Sequence, residues 1–152
     1  MRDAVVVGIG REERGDDGIG PRVLDRLLGM DADAELLRLR PDPGDLRQAF
    51  RGRRAAILVD ACRSGAAPGT VLEFDLRERS PRAGKRPQHG MALLDAVDLV
   101  RQLYGLPSEC RLFAVEAAGL GHGEDLSPAV KGALDRLAAR ILRRLECPRC
   151  GA

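Results

Sequence analysis

The 152-residue chain has the length of one compact domain, and since only 3% of its residues are aromatic, Leu, Val, Ala and Ile must form its core. The 25 basic and 23 acidic residues leave a formal charge of +2, which together with the shortage of aromatic rings disfavours a nucleic-acid-binding surface. Charged residues interrupt every apolar segment before the roughly 20 residues that a membrane-spanning helix needs, and the first residues lack a signal-peptide cleavage pattern. We therefore expect a cytoplasmic protein that binds neither nucleic acid nor membrane.

The first half of the chain alternates between strands and helices. Continuous apolar runs predict buried strands over Ala4–Ile9 and residues 55–59, and a further strand is predicted over Glu35–Leu39. Between them, apolar residues at helical spacing predict one helix that ends at Gly29 and a short one over residues 45–50. This β-α-β-α-β order is typical of a parallel sheet.

The second half adds an edge strand, two helices and a last strand. Residues 70–76 alternate polar and apolar side chains, which is typical of a half-exposed edge strand that can run antiparallel. Residues 77–88 are basic and predict a surface loop, after which a helix begins near His89. A strand over residues 111–115 and a long helix capped by Ser127 follow. The whole pattern predicts an α/β fold, a three-layer α/β/α sandwich with a mostly parallel sheet of about five strands.

The domain boundary is expected close to the carboxyl terminus. We expect a single domain over residues 1–146 and a short tail over residues 147–152, which holds Cys147 and Cys150. One CxxC pair supplies only two of the four ligands that a closed zinc site needs, so a frayed, reduced tail is the favoured interpretation. The chain's four cysteines are too few and too unevenly spaced for a disulfide framework.

Three residues with metal-binding side chains are predicted to meet at one edge of the sheet. Asp17 and Asp60 follow buried strands and His89 opens a helix, and the carboxyl ends of parallel strands share an edge. Two carboxylates and one imidazole form a ligand set suited to Ni, Zn or Fe. Because two neighbouring carboxylates repel each other, a cation would relieve the repulsion, and its binding should weaken at low pH.

Other interpretations stay open at this point. Asp16 and Asp17 can simply cap a helix, Asp60 can form a turn, and a lone histidine such as His89 is more often a surface residue than a ligand. The turn at residues 8–10 raises a dinucleotide site, but the third glycine of that motif is missing from its required position. The sequence has no G-x-S-x-G or H-E-x-x-H pattern, which argues against a serine hydrolase and the commonest zinc peptidases.

The segment from Gly8 to Gly20, GIGREERGDDGIG, resembles the opening motif of the [NiFe]-hydrogenase maturation endopeptidases, a G-x-G followed at fixed distance by an acidic pair and a second G-x-G. Three further stretches agree in order with that family. They are Val59-Asp60-Ala61 followed by Pro68-Gly69-Thr70, His89 before a helix, and Leu126-Ser127-Pro128 before the last helix. The resemblance covers nearly the whole chain.

The resemblance implies an endopeptidase that removes the C-terminal extension of a nickel-loaded [NiFe]-hydrogenase large-subunit precursor. It implies that Asp17, Asp60 and His89 are the metal-contacting and catalytic positions, in an aspartic-type arrangement. The metal is expected to be the nickel that the precursor already holds, with zinc or cadmium as surrogates. The precursor is the expected partner, and the protein is expected to act as a monomer.

The chain departs from the family pattern at two places. Arg11 stands where relatives commonly have Asn, and residues 40–44, RPDPG, replace an Asp-Gly-Gly turn, which makes Asp42 a candidate specificity residue. Two alternatives therefore stay open, a relative that processes a non-hydrogenase protein and a non-catalytic module that binds a metalloprotein or a phosphorylated ligand through residues 8–20. The basic residues 77–85 form either a contact for an acidic precursor surface or an ordinary solvated loop.

Overall fold

The computed structural model describes residues 2–78, 91–119, 123 and 125–146. The elements in these residues are β1 (Ala4–Ile9), α1 (Ile19–Leu28), β2 (Glu35–Leu39), α2 (Pro43–Phe50), β3 (Ala55–Cys62), β4 (Val71–Asp75), α3 (Met91–Tyr104), β5 (Glu109–Glu116) and α4 (Pro128–Glu146). A 3₁₀ turn over Gly15–Gly18 leads directly into α1. Among the helices of the described residues, none is both long and apolar enough to cross a membrane.

The strands form one sheet in the spatial order β2-β1-β3-β5-β4. The first four of these run parallel, and β4 pairs antiparallel with β5 at one edge, with Val71 opposite Val115. The predicted α/β fold with a mostly parallel sheet of about five strands is confirmed, and so is the antiparallel edge strand.

Each face of the sheet is covered by one pair of helices. On one face α1 and α4 bury Leu27 and Ile141 against Val6, and on the other α2 and α3 bury Leu46 and Val97 against neighbouring strands. Each such aliphatic side chain contributes about 1.5–3 kcal/mol by leaving water. The core therefore consists mainly of the aliphatic residues that the low aromatic content predicts.

Helix α1 crosses β1 at short distance because glycine occupies both contacting positions. A Cβ atom on Gly20 would lie 2.4 Å from the carbonyl oxygen of Ile9, and one on Gly8 would lie 2.7 Å from the carbonyl carbon of Gly20. Any larger side chain would push the helix away from the strand. These glycines hold the 3₁₀ turn over the carboxyl end of β1.

Several element boundaries differ from those that the sequence predicts. Strand β3 continues through Asp60 to Cys62 because it pairs with β5 as far as Glu116, which also lengthens β5. Helix α2 begins at Pro43, since Asp42 caps it by accepting the backbone N–H of Asp45 at 3.1 Å. The predicted loop beyond residue 78, the predicted helix start near His89, and the tail over residues 147–152 lie outside the described residues.

Candidate functional site

A cleft of about 380 Å³ opens at the carboxyl edge of the sheet, beside the ends of β1, β2 and β3 and the first turn of α3. Asp17, from the 3₁₀ turn, and Asp60, from β3, both line it. The structure therefore brings together two of the three residues that the sequence predicts to share a site. The third, His89, lies outside the described residues.

Asp17 is held at the cleft wall by the loop that follows β1. Its side chain is buried, and its Oδ2 accepts the backbone N–H of Arg11 at 2.9 Å. Gly10, at φ +118°, passes so close that a Cβ atom there would lie 2.0 Å from the carbonyl oxygen of Asp17. Only glycine fits this approach, so the first G-x-G has a steric role in wrapping the loop around the carboxylate.

Asp60 is a strand residue, so its interpretation as a turn former is wrong. It lies in β3 opposite Ala114 of β5, is buried, and accepts the backbone N–H of Ala61 on Oδ1 at 2.8 Å. Side chains alternate along a strand, so Asp60 shares the α2/α3 face with Leu58 and Cys62. A buried carboxylate is costly unless other groups bind it, and this makes Asp60 a candidate site residue.

Asp16 has a different role from its neighbour Asp17. Its Oδ1 accepts the backbone N–H of Ser127 at 2.7 Å, and its Oδ2 accepts the backbone N–H groups of Ala118 and Gly119 and the hydroxyl of Ser127 at 2.8–3.2 Å. The carboxylate thus ties the 3₁₀ turn to the segments that follow β5 and precede α4. The capping interpretation is wrong for both aspartates, because the residue that caps α1 is Gly18 and no side chain bonds there.

Glu116 is a buried acid that the sequence reasoning missed. It ends β5, and its carboxylate accepts the backbone N–H of Ser64 at 2.9 and 3.1 Å and the Ser64 hydroxyl, which braces the segment after β3. The available signal was an acidic residue at the end of a predicted buried strand, the same signal that pointed to Asp60. Burial, then Glu116 and Asp60, raise the pKa of the neighbouring Cys62 thiol to about 12, so this thiol stays protonated.

The described part of the chain contains no group of three or more His, Cys, Asp or Glu side chains placed to hold a metal ion. Asp17 and Asp60 supply two carboxylates at the cleft, and the remainder of the predicted ligand set, His89, falls in the range 79–90 that the structure does not describe. Carboxylate oxygens suit divalent metals of borderline hardness, and the open cleft leaves room for ligands from another molecule.

Three arginines, Arg11, Arg14 and Arg40, complete the polar wall of the cleft. Arg11, the first departure from the family pattern, lines the cleft, and its backbone N–H donates to Asp17. Of the second departure, Arg40 and Pro41 line the cleft, whereas the carboxylate of Asp42 caps α2.

Comparisons with known proteins agree with one another. The family model described as hydrogenase maturation protease matches residues 42–144, which is more than half of the chain. No curated protein sequence matches significantly. The hydrogenase maturating endopeptidase HybD from E. coli is 22% identical, with 98% of this chain and 94% of that chain covered and a TM-score of 0.76.

Two archaeal structures are similar to the same extent. The [NiFe] hydrogenase maturation protease HybD from Thermococcus kodakarensis is 23% identical, with 95% of this chain and 99% of that chain covered and a TM-score of 0.78. The maturation protease HycI from Thermococcus kodakarensis KOD1 is 24% identical over 95% of this chain and 93% of that chain, with a TM-score of 0.72. At these identities the likeness shows a shared fold.

Proposed function

The chain belongs to the hydrogenase maturation protease family, and from this premise we propose that it removes the C-terminal extension of a nickel-loaded [NiFe]-hydrogenase large-subunit precursor. One observation carries the proposal. Two buried aspartates from distant parts of the chain, Asp17 and Asp60, line a single open cleft at the carboxyl edge of the sheet. Ligands of parallel α/β proteins bind at this edge.

The two carboxylates have the chemistry to bind a metal that belongs to the substrate. Each accepts a backbone N–H, Asp17 from Arg11 and Asp60 from Ala61, so that part of each carboxylate is oriented before any metal arrives. Such hydrogen bonds to ligand carboxylates strengthen metal binding. Nickel held in the precursor would supply Lewis acidity to the nearby peptide.

His89 is proposed as the third ligand. Ala92 and Leu93, in the first turn of α3, line the cleft, and His89 precedes Ala92 by three positions. Consecutive Cα atoms are 3.8 Å apart, so three positions of chain span at most about 11 Å. An imidazole within this reach would complete the set of two carboxylates and one nitrogen.

The protein's own contribution to cleavage is then placement rather than covalent attack. Cys62 beside Asp60 is buried, and its thiol keeps its proton at neutral pH, so it is a poor nucleophile. Asp17 and Asp60 instead fix the precursor's metal centre against the cleft, which holds the adjacent scissile peptide in one orientation. Such positioning alone lowers a reaction barrier by several kcal/mol, up to about 10.

The test is the intact mass of the large-subunit precursor after incubation with this protein, once nickel-loaded and once nickel-free. Loss of a C-terminal peptide only from the nickel-loaded precursor is the expected result. Asp17→Asn, Asp60→Asn and His89→Gln should abolish the loss, while the exposed control Asp33→Asn should cleave at the wild-type rate. An uncleaved nickel-loaded precursor would overturn the proposal and favour a non-hydrogenase substrate.

A further inference from the structure

The wall of the cleft carries more positive than negative charge. Arg11, Arg14 and Arg40 face it together with Asp17 and Asp60. All three arginines are exposed, and within the described residues none of their guanidinium groups takes part in an ion pair or a side-chain hydrogen bond. The cleft therefore presents three exposed cations beside two buried carboxylates.

Neither of the two acids that stand between Arg11 and Arg14, Glu12 and Glu13, lines the cleft. Glu12 forms an ion pair with Arg38 of β2. Arg38 also forms an ion pair with Asp25 at 2.7 Å. The Glu12 carboxylate therefore pairs with Arg38 and not with the adjacent Arg11. Although several acidic residues lie near the cleft in the sequence, Glu12 does not line the cleft wall.

Two of the three arginines, Arg11 and Arg14, lie on the loop that holds the proposed metal ligand Asp17. The backbone N–H of Arg11 bonds the Asp17 carboxylate at 2.9 Å, that of Arg14 bonds the Arg11 carbonyl at 3.2 Å, and that of Asp17 bonds the Arg14 carbonyl at 3.2 Å. These bonds fix the backbone of Arg11 and Arg14 relative to Asp17. Arg40, just after β2, extends the positive wall on the neighbouring strand.

We propose that Arg11, Arg14 and Arg40 bind a carboxylate of the precursor's C-terminal extension close to the scissile peptide. This inference rests on the proposed function, and it divides the cleft into two subsites. The buried aspartates receive the cationic metal, and the exposed arginines receive an anionic group of the segment that is cut off. Guanidinium forks match carboxylates in bidentate pairs, and without them Asp17 and Asp60 would repel an acidic segment.

The enzyme arm of the test measures kcat and KM on nickel-loaded precursor for Arg11→Gln, Arg40→Gln and the triple variant with Arg14→Gln. Because each pair is exposed, a single substitution should raise KM about threefold and the triple variant on the order of tenfold or more, with kcat little changed. Arg143→Gln, which removes an exposed arginine of α4 that does not line the cleft, is the matched control. High salt should shrink the differences.

The substrate arm identifies the carboxylate. Changing the acidic side chains of the extension to amides should raise the wild-type KM and leave the triple variant unaffected if a side chain is bound. If instead the terminal carboxylate is bound, lengthening the extension with neutral residues should raise the wild-type KM and leave that of the triple variant unchanged. An Arg40→Glu enzyme should regain activity on an extension in which lysine replaces the recognised acid. If the arginine variants match Arg143→Gln on every substrate, the subsite does not exist.

Failure of the two proposals can be told apart. If the wild-type protein leaves nickel-loaded precursor uncut, the cleavage proposal fails. Binding of a fluorescent extension peptide, measured by anisotropy with the wild type, the triple variant and Arg143→Gln, then decides the carboxylate subsite separately. Weaker binding by the triple variant alone supports the subsite, and equal binding by all three proteins overturns it.

Discussion

Arginines gather at two places on the sheet, and the two groups differ in how their charge is compensated. At the cleft, the guanidinium groups of Arg11, Arg14 and Arg40 form no ion pair within the described residues. At the antiparallel edge, three arginines from β5 and α4 surround the half-buried carboxylate of one residue of β4 at 2.5–3.1 Å. The members of this Glu73 cluster are Glu73, Arg111, Arg140 and Arg144.

This difference suggests a structural role for the arginines of the Glu73 cluster and a binding role for the cleft arginines. In the Glu73 cluster, one carboxylate joins three elements, and Arg140 also lies 5.3 Å from the centre of the Phe113 ring. All charged partners in the Glu73 cluster belong to this chain, so changing a member of the cluster should alter the stability of the protein. The cleft arginines have exposed heads beside two buried acids, so their effect should be on what the cleft binds.

The largest expected effect is on the cleft side of this comparison. Asp60→Asn keeps the shape of the side chain but removes a charged oxygen, and it should lower kcat/KM for precursor cleavage on the order of 1,000-fold. The urea midpoint should stay near that of the wild type. Steady-state kinetics on nickel-loaded precursor, with Asp33→Asn as the control, measures the loss. A variant within tenfold of the control would remove Asp60 from the site.

The next effect concerns the packing beneath each region. Gly20→Ala places a methyl group 2.4 Å from the Ile9 carbonyl, so α1 must move and the cleft floor with it. We expect the free energy of unfolding to fall by about 3 kcal/mol. Gly132→Ala, in the α4 helix that carries Arg140, meets nothing within 4 Å and should stabilise the protein by about 0.5–1 kcal/mol. Urea unfolding of both variants checks the opposite signs.

Asp16 should act on stability although it stands next to a cleft residue. Asp16→Asn replaces one acceptor oxygen with an amide, which cannot accept the N–H groups of Ala118 and Gly119. Leaving these part-buried donors unsatisfied should cost about 1 kcal/mol. The same urea experiment measures this cost, and a loss no larger than that of Asp33→Asn would show that the four hydrogen bonds do not anchor the turn.

Glu73→Gln tests the other side of the comparison. It leaves three arginines around a neutral amide, and we expect a loss of about 1–2 kcal/mol, since Arg140 is partly exposed and screened. The loss should shrink in 1 M salt, and kcat/KM should not change. A fall in kcat/KM with unchanged stability would reverse the assignment of the two regions.

The sequence predicts much of the fold because burial imposes periodic patterns that can be read directly. Strand β1 and strand β2 have the predicted bounds, since apolar runs and turn residues mark both ends. The pairing of Asp17 with Asp60 at one cleft follows from topology, because parallel strands end at a common edge. Strand bounds and strand ends of this kind can be predicted without knowing where individual side chains point.

The features that the sequence could not predict depend on side-chain direction and on contacts between distant elements. Asp16 and Asp17 are consecutive and identical, and only the path of the 3₁₀ turn sends one to Ser127 and the other to the cleft. The Glu73 cluster depends on the register of β4 against β5 and on where α4 crosses them. No local pattern encodes either fact.

The effect that should be smallest at neutral pH concerns the thiols near the two ends of the sheet. Burial raises the pKa of Cys62 and of Cys110 from 9.0 to about 12, with Glu116 and Asp60 adding to the rise for Cys62 and Arg101 opposing it for Cys110. The unfolded chain releases these protons near pH 9 while the folded chain keeps them, so stability should fall as pH rises from 9 towards 12. The fall is absent below pH 9, where both states hold the protons. Urea midpoints between pH 8 and pH 11, in a Cys147→Ser/Cys150→Ser background with and without Cys62→Ala, measure it, and identical slopes would show that Cys62 does not contribute.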